Sequence, residues 1–213
     1  MVYPIDRIVH DVRVHIDENR VDARLISEPD PDTLMLEEAI RAHIIEGVQL
    51  VHRNAPYHLL EQGHTFQSDS DAIYWRDLES GFLLLPDDFM RLVVFEMSDW
   101  ERPVYSVITP ADKEYKRQHS RVKALRGTAQ RPVCALVVRN EGKALEFYSC
   151  KSQNATIVKA VYIPYPIIEN NSVDISEHCH DAAVYAIAAL TLQAYGENDK
   201  SKALFDTIKT MLE

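Results

Sequence analysis

Long apolar runs are missing from this 213-residue sequence, and none approaches the ~20 residues that a bilayer-crossing helix requires. No membrane association is therefore expected. Glycine is scarce at six residues, and GxGxxG, Walker and GxSxG patterns are absent, which argues against a backbone cradle for phosphate and against a nucleophile elbow. Cysteine is limited to Cys134, Cys150 and Cys179, an odd number without CxxC spacing, so a disulfide framework is not expected and a reducing compartment is. The N-terminal MVYPIDRIVHDV lacks a basic stretch followed by an apolar one, so no secretory signal is expected. The sequons at Asn154 and Asn170 then carry no weight.

Metal and acid-base chemistry are equally hard to find. The nine histidines never recur as HxxxH. His178-Cys179-His180 is the most metal-like cluster, but residues two apart on a helix face different ways, and no second ligand pair lies at short spacing. No two carboxylates are singled out as acid and base. The expectation is an absence of catalytic, cofactor and metal residues.

What is present is a folded chain's composition, 46% hydrophobic and 26% charged, with a net charge of −10 that opposes general attraction to phosphate backbones. Ile5, Ile8, Val9, Val12 and Ile16 recur at helical spacing, with Pro4 suited to the first turn. A second helix is expected from Pro31, capped by Asp30, with a stripe of Leu36, Ile40, Ile44, Val48 and Val51 ending before Asn54-Ala55-Pro56.

After Pro56 the pattern turns to short β-branched and aromatic runs. Strands are predicted over 72–78, 82–85, 91–97 and 103–108, then over 133–138, 144–148 and 156–163. Asn140-Glu141-Gly142 suits a hairpin, and Thr109-Pro110-Ala111-Asp112 reads as the start of a charged helix reaching about Leu125. Helix returns with Asp174 and Glu177 as caps before AAVYAIAALTLQAY, with Gly196 as its stop. A last helix over 199–212 carries Ala203, Leu204, Ile208, Met211 and Leu212 on one side. The predicted class is α+β, an antiparallel bundle of about four helices with an inserted β-rich subdomain that carries one charged helix. Its parts are residues 1–56, the insert 57–168, and residues 169–213 completing the bundle.

One charge feature stands out. Lys113, Lys116, Arg117, Arg121, Lys123, Arg126 and Arg131 face one acid, Glu114, giving 113–131 a charge of +6 and the remainder −16. It reads as a solvated helix face, as a nucleic-acid patch with only Tyr115 interleaved, or as a self-complementary surface for head-to-tail association of copies.

The segment LLLPDDFMRLVVFEMSDW breaks an apolar run with Pro-Asp-Asp and resumes it. It resembles the strand, Leu-Pro-x-Asp-Phe-x-Arg turn and strand of head-to-tail adaptor proteins of tailed phages, the tail tubular protein A type and related connectors. The matching residues are Leu85, Pro86, Asp88, Phe89 and Arg91. Proline would end a strand, the acids would cap a corner and Phe89 would plug it. The Ala-rich helix 182–195, Gly196 and the short terminal helix also resemble the family's closing elements. The narrower likeness is to the ring proteins beneath the portal of crAss-like phages.

The resemblance implies a homo-oligomeric ring of about twelve copies under the portal vertex, made in the host cytoplasm and resident in the virion neck. It would extend the DNA channel towards downstream tail or ring proteins, passing DNA without sequence-specific binding. The self-complementary charge reading makes Lys113, Lys116, Arg117, Arg121, Lys123 and Arg126 the candidate subunit contacts, and the resemblance implies portal contact through 202–213, with Leu204, Ile208 and Met211 as candidates. The alternative is a small α+β enzyme or ligand-binding domain.

Overall fold

The structure is a computed structural model describing residues 1–17, 31–60, 63–66, 72–77 and 79–213, with side chains described for all of these except 17 and 31–34. In chain order the elements are β1 (Val2–Pro4), α1 (Ile5–Asp17), α2 (Pro31–Asn54), β2 (His64–Thr65), β3 (Tyr74–Arg76), β4 (Ser80–Leu84), β5 (Phe89–Met97) and α3 (Lys113–Gln118). There follow β6 (Cys134–Arg139), β7 (Gly142–Phe147), β8 (Ile157–Pro164), β9 (Ile168–Glu169), β10 (Ser172–Asp174), α4 (His180–Ala194) and α5 (Asn198–Met211). The protein is α+β, with five α-helices and three antiparallel sheets among the described residues. It divides into two units, Met1–Glu61 with Tyr165–Glu213, and Gln62–Pro164, where the sequence reading set the joins at 56/57 and 168/169.

In the first unit α4 is the centre. It is apolar nearly all round, and packs against α1, α2 and α5. The stripes predicted for α1 and α2 face it: Ile8, Val12, Ile40, Ile44 and Val48 are wholly buried. Gly47 is what lets α2 approach, because a Cβ there would lie 2.6 Å from Ile187 Cγ1 and 3.0 Å from the Ile187 amide nitrogen. Alanine is the better helix former by about 1 kcal/mol, yet Gly47→Ala is expected to lower stability by about 1–2 kcal/mol through overpacking. Thermal unfolding followed by circular dichroism measures it. Gly196, at φ +81°, closes α4: its N–H donates to Gln193 C=O at 3.0 Å, and Glu197 N–H reaches Leu192 C=O at 3.0 Å.

The sequence reading missed the small sheet of this unit, ordered β1–β10–β9. Asn170 and Asn171 turn its β9–β10 hairpin with both φ angles positive, at 49° and 57°, a conformation asparagine tolerates. The sheet corrects two helix starts. Pro4 ends β1 rather than opening α1. Asp174 belongs to β10, where its carboxylate accepts from the Met1 amino group at 2.7 Å, and a 3-10 turn over Glu177–Cys179 leads into α4 instead. Asp30 lies outside the described residues.

In the second unit, a three-stranded sheet (β2–β8–β5) and a four-stranded one (β3–β4–β7–β6) enclose a core that includes Phe66, Leu83, Phe89, Phe95, Leu145 and Phe147. Trp100, at the end of the broken apolar run, sets its ring edge-on to Phe95 at 5.6 Å between centroids. Two expectations fail here. Residues 103–108 form no strand and meet the sheets only at the isolated bridges Phe95↔Val104 and Ile108↔Ala135. The charged helix is six residues long, Lys113–Gln118, and a 3-10 turn over Lys123–Leu125 replaces its second half. The physical reason is visible in the residues: continuing the helix would add Arg121 four residues from Arg117, a second like-charge pair on the face that already carries Lys113 and Arg117. Asp112 does reach back, its carboxylate accepting from the Thr109 N–H at 2.6 Å and hydroxyl at 2.9 Å. That closes a turn ahead of α3, with Pro110 in the turn.

Candidate functional site

The Pro-Asp-Asp corner is where the chain leaves one sheet for the other. Leu85 still belongs to the four-stranded side, donating its N–H to Lys143 C=O at 2.9 Å. Phe89, opening β5, already pairs with Pro164 of β8. Between them Phe89 N–H closes the turn onto Pro86 C=O at 3.0 Å. Leu85 and Phe89 are both buried in the same core, and Arg91 is half-buried. Phe89 lies stacked on Tyr162, 5.6 Å between centroids, and the Tyr162 hydroxyl donates to the Asp88 carboxylate at 2.9 and 3.1 Å. Asp87 is solvent-exposed.

Burial first, then the hydrogen bond and charge of Asp88, push the Tyr162 hydroxyl up to about 12. Because the folded value exceeds the unfolded one, near 10, this group's stabilisation is complete below pH 10 and disappears as pH rises towards 12. Tyr162→Phe is expected to cost about 1–2 kcal/mol at neutral pH and to flatten the alkaline loss between pH 10 and 12. Urea titrations at stepped pH read both.

The basic segment is displayed rather than buried. Lys113, Lys116, Arg117, Arg121, Lys123 and Arg131 are exposed, and Arg126 is half-buried. Lys123 lies 3.6 Å from Glu79. What fixes the segment is an anchor the sequence reading overlooked, Glu146 of β7. Its side chain is 2% exposed. It accepts from Arg76 of β3 at 2.9 Å, from Arg139 of β6, from the Tyr115 hydroxyl of α3 at 3.2 Å, and from the Tyr148 hydroxyl. Phe82, directly across the ladder from Glu146, carries the Arg139 guanidinium over its ring at 3.8 Å. Tyr115, the lone aromatic of the basic segment, thus ties α3 to the outer face of the four-stranded sheet. A sequence signal existed: an acid within KALEFY, an otherwise apolar strand.

Beside this segment a cleft of about 390 Å³ is lined by Glu79, Glu101, Lys123, Arg126, Cys150 and Lys151, among others. Its acids and cations pair with one another, Lys151 with Glu101 at 4.0 Å and Lys123 with Glu79. The Cys150 thiol is pushed far up, by burial and then by Asp99, so it is a poor nucleophile.

His178, Cys179 and His180 do not converge. Cys179 is wholly buried with its thiol towards Leu59 C=O, His180 lies against the Tyr3 ring and Asp11, and His178 is exposed. In α5 the expected stripe is also redistributed. Ile208 is core at 7% exposure, Leu204 is half-buried, Met211 is 39% exposed and Ala203 is exposed, with Phe205 packing inward instead. The three candidate portal residues therefore do not share one accessible face. Among the described residues no helix is long and apolar enough to cross a membrane.

No protein-family model and no curated protein matches the chain.

Proposed function

We propose that this chain is a structural subunit, a head-to-tail adaptor or ring protein of a tailed-phage neck, which docks under the portal and extends the DNA channel. In this reading α1, α2, α4 and α5 form the antiparallel bundle of the adaptor family and the second unit is its β-rich insert. The observation that carries it is the corner. Leu85, Pro86, Asp88 and Phe89, the residues of the adaptor-like motif, are spent on joining two sheets. The exposed basic segment on an otherwise acidic chain supports it, since such a distribution favours association between copies. DNA would pass without being gripped, since like charge disfavours adhesion.

Light scattering of the chain alone, and mixed with the portal protein of the same genome, tests the proposal. A complex heavier than the portal is expected. A chain that leaves the portal's mass unchanged overturns it. Reversal of Lys116, Arg117 and Arg121 to glutamate is expected to reduce association between copies by tenfold or more, about 1.4 kcal/mol, with an unchanged circular dichroism spectrum, because all three side chains are exposed.

The alternative, a ligand-binding domain, draws on the cleft beside Lys123 and Arg126. A small molecule held there after purification, detected by native mass spectrometry, would favour it.

A further inference from the structure

The stretch between Gln118 and Gly127 is a closed loop with its side chains turned outwards. Gln118 is buried, and its Oε1 accepts from the Gly127 N–H at 2.7 Å while its Nε2 donates to Glu114 C=O at 3.2 Å, so both ends of the loop are tied together. Gly127 cannot carry a larger side chain, because a Cβ would lie 2.4 Å from the Ser149 hydroxyl. Three residues before Gln118, the Tyr115–Glu146 bond fixes α3 to the sheet. A loop with so firm a base would be expected to turn its apolar residues inward. Instead Val122, between the exposed cations Arg121 and Lys123, is 57% exposed, and Leu125, two residues beyond Lys123, is 52% exposed. Firmly based loops with exposed apolar anchors are typical binding elements.

The charges of the chain say what such a loop fits. Residues 62–164 hold fourteen basic and thirteen acidic side chains, a net +1, whereas residues 1–61 and 165–213 together hold nine basic and twenty acidic, a net −11. The helical unit is therefore the acidic partner available in every copy. Within it, Val2 of β1 is 66% exposed and Ile167, just ahead of β9, is 51% exposed, with Glu169 of β9 exposed nearby, whereas Ile168 pairs with Val173 and shares the face of buried Tyr3. Among the described residues β9 is an edge strand of that sheet.

We propose that the loop 119–126 of one copy docks on the β1–β10–β9 sheet of a second copy, Val122 and Leu125 meeting Val2 and Ile167, and Arg121 and Lys123 meeting Glu169. The contact uses different surfaces on the two copies, so it repeats head to tail, and closes into a ring when the rotation allows. This names the surfaces behind the association on which the proposed function rests.

The test uses the full chain with a photo-crosslinking residue in place of Leu125. Irradiation is expected to give a covalent dimer whose joined peptide lies within Met1–Arg7 or within residues 165–174. Joining to any other region, or no dimer at high protein concentration, overturns the proposal. Sedimentation equilibrium supplies a second reading. Association is expected to weaken tenfold or more in Val122→Ser/Leu125→Ser and in Arg121→Glu/Lys123→Glu, and to weaken with added salt in the wild type, since steering charges are screened. Association as strong as the wild type's in both variants also overturns it. Capture by the portal separates the two ideas: variants that lose self-association yet bind the portal leave the adaptor reading standing, and a wild-type chain that crosslinks as expected yet ignores the portal overturns that reading alone.

Discussion

Replacing Phe89 with alanine is expected to cost about 3–5 kcal/mol of stability, the range for deleting a buried phenylalanine ring. The ring is 1% exposed, stacks on Tyr162 and sits at the point where the chain passes between sheets. Little can collapse into the space. On one side β5 is held by its ladder with β8, and on the other Pro86 fixes the backbone of the turn. The loss should appear as a lower denaturant midpoint with an unchanged slope, since both states stay equally compact. Phe89→Leu, which keeps most of the volume, should recover more than half of it. A loss below about 1 kcal/mol for the alanine variant, the range of surface positions, would mean that the corner is no packing element.

The second large effect belongs to Glu146. Its carboxylate is the shared acceptor for two guanidinium groups and two phenols, and removing one partner of a buried ionic cluster typically costs about 3–5 kcal/mol because the charges left behind are uncompensated. Glu146→Ala is expected to fall in that range. Arg76 and Arg139 are a third and a fifth exposed respectively, so water relieves part of the penalty and the lower end is the firmer expectation. The distinguishing consequence is local. With its acceptor gone, Tyr115 releases α3, so amide protons of Lys113–Gln118 should exchange faster, while those of α4 in the other unit are unaffected. Uniform loss of protection in both units would show that Glu146 supports the whole fold rather than the basic segment.

The α+β class and the main helices were legible in the sequence because their stripes are long and regular. Ile5, Ile8, Val12, Ile40, Ile44, Val48 and Val51 repeat at three and four, and all end in one core. Apart from β2, the β-strands of the second unit were legible for the complementary reason, short β-branched runs bounded by turn residues, though the same pattern over 103–108 formed no strand. What escaped was set by contacts distant in sequence. β1 is three residues long, and exists because β10, some 170 positions away, pairs with it. Asp174 looks like a helix cap locally and is a strand residue for the same reason. The charged helix stopped short because helix propensity in 113–125 is opposed by like-charge spacing. Glu146 carried a visible oddity, an acid inside an apolar strand, but its four partners lie on β3, β6, α3 and the end of β7. Residues 85–91 could be read as a corner from proline and acids alone; that the corner changes sheets could not, since the pairing of β4 with β7 and of β5 with β8 is non-local.

Electron microscopy of the chain incubated with its portal addresses the central idea, that these surfaces serve assembly. The expected images show closed rings of this subunit seated coaxially beneath the portal, with the second unit of each copy against its neighbour. Portal particles without added density, beside a chain that remains single at every concentration, would contradict it.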